Sequence, residues 1–151
     1  MDKNTKNIHL KVQVVVLAQS EDKTKVLLLR TNKRRGLFIQ NVTGSVDPGE
    51  GLDIAAKREL EEETGLLSTA KSKFQKLSPL FKFIDQYEKN VEEHCYLYYL
   101  KYEAQPPSVK IDESEHSEFN WTDVEDVNEN TFKYPSNYEV YLKGIEYLKK
   151  N

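Results

Sequence analysis

The sequence predicts a mixed α/β layer fold, with helices on both faces of one sheet. Val-rich and aromatic strand patterns open the chain, an Ala-, Leu- and Glu-rich helical stretch stands in its middle, and strands followed by a helix close it. At 151 residues with 38% hydrophobic content, there is room for one compact domain spanning 1–151 and enough apolar material for a core.

His9 to Gln19 alternates imperfectly and is Val-rich, Lys25 to Arg30 is a second apolar strand, and Ser20-Glu21-Asp22-Lys23 reads as the hairpin turn between them. Leu37 to Thr43 looks like a third short strand. Gly44, Pro48, Gly49 and Gly51 then require a loop. A helix from Leu52 or Asp53 to Thr64 follows, with Gly65 where a left-handed C-terminal cap belongs. Phe74 to Ile84 and Glu93 to Tyr102 return to strand patterns, and Phe119 to Trp121 is a short extra strand. In the last element Val140, Tyr141, Ile145 and Leu148 recur at near-helical spacing, behind a cap at Ser136 or Asn137.

Charge and cysteine usage narrow the function. A net charge of −3 argues against a general nucleic-acid binder, which needs a basic excess. The apolar run Val14 to Ala18 is far too short for a membrane helix, and Met1 to Asn7 lacks a signal-peptide apolar stretch, so a soluble, cytoplasmic protein is expected. Cys95, the single cysteine, lies in an apolar-aromatic run as a buried structural thiol would. His9, His94 and His116 are scattered, so no zinc spacing exists and any metal must be held by oxygen.

The chemistry concentrates in Arg58-Glu59-Leu60-Glu61-Glu62-Glu63-Thr64-Gly65. Carboxylates at a helix C-terminus oppose the dipole at about 0.3–1 kcal/mol each, and like charges at i, i+3 and i, i+4 add a few tenths. At about 100° per residue Glu59, Glu62 and Glu63 share one side of the helix, whereas Glu61 points elsewhere. Only Arg58 is at hand to offset them. A hard divalent cation resolves the conflict, since Mg²⁺ takes oxygen ligands from one or two carboxylates together with substrate phosphates.

Gly44-Ser45-Val46-Asp47-Pro48-Gly49-Glu50, seven residues to Lys57, and then Arg58 to Leu66 resemble the Nudix box, G-x5-E-x7-R-E-U-x-E-E-x-G-U with U aliphatic. Every fixed position matches, and the resemblance implies a Nudix-type α/β/α sandwich. It also implies hydrolysis of a pyrophosphate bridge in a nucleoside diphosphate derivative, assisted by Mg²⁺ or Mn²⁺. By that resemblance Glu59 and Glu63 are direct metal ligands and Glu62 a direct or water-mediated one. Arg58 and Glu50 support them, and a backbone carbonyl at Thr43 or Gly44 completes the shell.

The flanks resemble bacterial dihydroneopterin triphosphate pyrophosphohydrolases. The lead Gln40-Asn41-Val42-Thr43-Gly44-Ser45-Val46 matches their Q-x-V-T-G-S-V, and Glu115-His116-Ser117-Glu118-Phe119-Asn120-Trp121 matches their E-H-x-x-[aromatic]-x-W. This likeness makes Glu115 an additional metal ligand or general base, set against a merely solvated acidic loop of Asp112, Glu113, Glu115 and Glu118. His116 is expected in a local hydrogen-bonding role. Arg30, and Thr43 beside the box, are candidate substrate contacts, while Lys33-Arg34-Arg35 either receives a triphosphate tail or, as a charge run in a loop, is solvated, the latter being favoured. Phe38, Phe81, Phe83 and Tyr87 either stack a substrate ring or serve the core, and Trp121 belongs to the core. The expected partner is a small nucleotide or pterin triphosphate, with no nucleic acid or membrane. A general or damaged nucleoside triphosphate, or a dinucleoside polyphosphate such as diadenosine tetraphosphate, is the alternative substrate. A non-catalytic binding module is the remote reading, because such a module would have lost box glutamates.

Overall fold

The computed structural model describes residues 8–151; the polar start Met1 to Asn7, read above for a leader, lies outside the described residues. Seven strands form one mixed sheet: β1 (Ile8–Gln19), β2 (Thr24–Thr31), β3 (Ile39–Gln40), β4 (Val42–Ser45), β5 (Ser72–Ile84), β6 (Asn90–Lys101) and β7 (His116–Asp123). Helix α1 (Leu52–Thr64) covers one face and α2 (Pro135–Lys150) the other.

β1 lies centrally, parallel to β6 along its whole length, and β5 flanks β6. On β1, Val12, Val14 and Val16 join the α1-side core with Leu60, while Val15 and Leu17 join the α2-side core with Val140 and Tyr141. A strand buried on both faces reads as a continuous apolar run, which is why its alternation looked imperfect. Cys95 is fully buried in the α2-side core, where burial pushes its thiol pKa upward, as a structural cysteine requires.

Three expectations need correction. The stretch 37–43 is two strands, because β1 and β2 pair only near their turn and the incoming chain fills the gap beyond. β3 pairs with β2 through Gln40 opposite Leu29, and β4 then pairs with β1 through Val42 opposite Val14. The strand at Phe119 extends over all of β7, since β2 offers it a partner from Lys25 to Thr31. Neither Ser136 nor Asn137 caps α2: the cap position is Tyr134 with Pro135 in the first turn, and Asn137 is buried inside the helix.

No helix among the described residues is long and apolar enough to cross a membrane.

Candidate active site

The buried face of α1 carries the carboxylates. Its buried residues are Ala55, Ala56, Glu59, Leu60, Glu63 and Thr64, so Glu59 and Glu63 sit on the stripe that an ordinary amphipathic helix would make wholly apolar. The helix ends at Gly65, whose φ of 76° is the left-handed cap conformation and whose N–H donates to Glu61 O. Glu62 lies beside this stripe with a side chain 54% exposed, its carboxylate joined to that of Glu59 through Arg58 Nη1.

Arg58 organises the entrance. Its Nε and Nη2 donate to the two oxygens of Glu50 at 2.8 and 2.9 Å, and Nη1 donates to Glu59 at 2.9 Å and to Glu62 at 3.2 Å. Nη2 also donates to Ser45 O at 2.9 Å, and Glu50 Oε1 accepts the Asp47 N–H at 2.9 Å. One guanidinium thus ties β4 and the glycine-rich loop to the helix. The Arg58 hydrogen bond, then the Asp47 N–H, hold the Glu50 carboxyl down to about 2, and the same pairing pushes Arg58 upward. Glu59 moves the other way: burial raises it against the pull of Arg58.

Gly44 leaves room for Glu59. A Cβ on Gly44 would fall 2.0 Å from Glu59 Cδ, so any side chain there would displace the carboxylate. The same contact places the Thr43–Gly44 backbone beside Glu59, while Thr43 itself pairs with Gln13 of β1.

Glu63 is the anomaly of the site. Its side chain is 1% exposed, and no N–H or hydroxyl donates to either oxygen of its carboxylate. Burial, then a proton shared with the Glu115 carboxyl, and then the Glu115 and Glu59 charges push it up to about 10. Glu115 arrives on the loop before β7, at a register shift where Thr31 of β2 pairs with His116. Asn32 and the Lys33–Arg35 turn hold that loop. Asn32 Nδ2 donates to Ser114 O at 2.8 Å, Arg34 Nη2 donates to Ser114 O at 3.0 Å, and Arg35 Nη1 lies 3.9 Å from Glu115 Oε1. The basic run is therefore attached to the acidic loop rather than simply solvated.

His116 is fully buried. Its Nε2 lies 3.0 Å from the Gln40 carboxamide nitrogen and its Nδ1 lies 3.7 Å from Glu63 Oε1, with burial lowering its pKa. Gln40, named above only within the lead to the box, and Arg35, named only within a charge run, are site neighbours. The available signal was a glutamine among the apolar residues of a short strand, a position that demands a buried partner.

Other candidates lie elsewhere or in other roles. Arg30 pairs with Glu118 at 2.8 Å and donates to Leu37 O. Phe83 and Tyr87 are exposed, so they serve neither core. Trp121 packs against the α1-side core and donates to Pro107 O, as expected.

The residues fit a divalent cation. Oxygen is the only donor type that α1 offers, and Glu63 brings two buried, unpartnered oxygens beside Glu59 and Glu115. Among the described residues, no three acidic, histidine or cysteine side chains are already drawn together at ligating distance, so the fit rests on those oxygens.

Comparison with known proteins agrees with the fold. An Ap4A hydrolase of C. elegans superposes with a TM-score of 0.77 at 20% identity, covering 95% of this chain and 99% of that one. A NUDIX hydrolase of Listeria monocytogenes gives 0.78 at 23% identity over 94% and 95% of the two chains. The E. coli dihydroneopterin triphosphate pyrophosphohydrolase gives 0.73 at 24% identity over 91% and 95%. In sequence, 55 residues are 46% identical to an octanoyltransferase of Myxococcus xanthus, a stretch that is 36% of this chain and only 15% of that protein. Residues 9–143 match the NUDIX domain. With the box intact on α1 and the match running nearly end to end, the chain belongs to the NUDIX family.

Proposed function

We propose that the protein is a pyrophosphohydrolase that uses Mg²⁺ or Mn²⁺ to cleave a phosphoanhydride bond in a nucleoside-triphosphate-like substrate. One observation carries the reading: Glu63 is buried with no donor to either oxygen, an arrangement costly for a carboxylate unless it takes up a proton or a cation. Glu59, Glu63 and Glu115 would hold the cation, with Glu62 at the exposed rim.

A bound cation supplies charge neutralisation on the phosphoryl oxygens and a more acidic water. The protein supplies the rest. Arg58 holds Glu59 in place and locks the Gly44–Glu50 loop to α1, which positions the phosphates against the carboxylates. Glu115, 41% exposed, is the carboxylate placed to exchange a proton with solvent during water attack on phosphorus. In Glu115→Gln, kcat is expected to fall with little change in KM; a wild-type kcat would return Glu115 to a solvated role.

For the substrate we propose dihydroneopterin triphosphate, supported by the Gln40–Val46 and Glu115–Trp121 segments. The test is a panel of dihydroneopterin triphosphate, nucleoside triphosphates, diadenosine tetraphosphate and ADP-ribose with Mg²⁺, scoring pyrophosphate against orthophosphate release. The highest kcat/KM is expected for the pterin. Preference for another compound overturns the substrate, and no hydrolysis of any overturns the enzyme reading.

A further inference from the structure

The dipeptide Gln40–Asn41 sits where the chain transfers from the edge of β2 to that of β1. The Asn41 side chain joins a buried network on the α2 side. Gln40, 4% exposed, reaches His116 at the start of β7. A carboxamide N–H can only donate, so an imidazole nitrogen facing it must carry no proton. That assignment leaves the His116 proton on Nδ1, the atom with no other partner, which faces Glu63 Oε1 at 3.7 Å.

We propose that Gln40 is a positioning residue: by donating to His116 Nε2 it keeps the imidazole in its Nδ1–H tautomer and aims that N–H at Glu63. The proposal rests on the reading of Glu63 as a cation-holding carboxylate. Its physical content is that an N–H directed at one oxygen of a buried carboxylate, here at 3.7 Å and so longer than a hydrogen bond, attracts that oxygen and leaves its remaining lone pairs for the ion, and supporting groups of this kind typically change metal affinity 10–100-fold. His116 reaches Glu63 from a different strand, so the support is independent of Arg58, which holds Glu50, Glu59 and Glu62.

The first measurement needs no substitution. In the metal-free protein at one neutral pH, ¹⁵N-detected spectra of the three histidines, with His116 assigned by its loss in His116→Asn, are expected to show a protonated Nδ1 and a bare Nε2. A protonated Nε2 overturns the proposal. The second compares Mn²⁺ binding by titration calorimetry. Gln40→Leu is expected to weaken Mn²⁺ about 10-fold or more. His116→Asn, whose amide N–H replaces Nδ1–H, is expected to bind within about threefold of wild type and to make the further Gln40→Leu change nearly silent. Unchanged Mn²⁺ affinity in Gln40→Leu, or an undiminished loss in the His116→Asn background, overturns it. Glu63→Gln separates the two readings: if it binds Mn²⁺ like wild type, the metal site itself fails, whereas the tautomer spectrum stands or falls without any metal.

Discussion

Two buried polar clusters lie on opposite faces of the same sheet, and they differ in how they are completed. On the α2 side, Gln13 donates to Glu93, Asn41 donates to Gln13 Oε1 and to Asn137 O, and the Asn41 N–H donates to Asn137 Oδ1, all between 2.7 and 3.2 Å. Four buried side chains from β1, β6, α2 and the β3–β4 junction satisfy one another almost completely, Asn41 Oδ1 being the exception. On the α1 side, Glu63 and His116 Nδ1 are equally buried and have no hydrogen-bond partners. A nearly closed network holds elements together, whereas an open one keeps polar atoms free for another partner. Burial alone does not mark a functional site; burial without satisfaction does.

Substitutions that exchange the expected behaviour of the two clusters would break this comparison. The largest effect is expected for Glu63→Gln, which should abolish turnover yet fold, because it removes a ligand charge without changing shape. In EDTA it should also melt higher than wild type. The raised Glu63 pKa means that the folded state binds the proton more tightly than the unfolded chain. Wild-type stability is therefore lost as pH rises from about 4.5 towards about 10. Differential melting from pH 5 to 9 should show the gap between mutant and wild type widening, and a constant gap would contradict it.

Next comes Gly44→Ala, in which the new methyl must expel Glu59; Mn²⁺ affinity and kcat should both drop at least tenfold with a small change in Tm. Asn137→Ala should do the reverse. It leaves the Asn41 N–H without its partner, so urea unfolding should register a loss of about 1–3 kcal/mol while Mn²⁺ affinity stays near wild type. The smallest effect is expected for Glu118→Gln at the exposed pair with Arg30, within about 1 kcal/mol of stability. A fall in KM there would show that the freed Arg30 receives substrate phosphates.

Much of the fold was legible because its signals are local. The helix limits at Leu52 and Thr64, the Gly65 cap and the two opening strands follow from composition and turn residues. The split of residues 37–43 was not, since it depends on where β1 and β2 part. The α2 cap was misread because Asn137 has the right chemistry for a cap but finds a stronger claim in the buried Asn41 backbone. Within the site, the i, i+4 spacing of Glu59 and Glu63 placed them together, whereas the greater exposure of Glu62, joined to Glu59 through Arg58, depends on what packs around the helix.

The sequence by itself determined the family and the helix that bears the carboxylates, since each depends on residue type at short spacing. Only the tertiary structure decided which carboxylate is desolvated and which partners reach it. Glu115, His116 and Gln40 come from segments far from α1 in the chain, brought there by β2 pairing with β3 and β7. Desolvation is a property of everything packed around a group, and no window of sequence contains it.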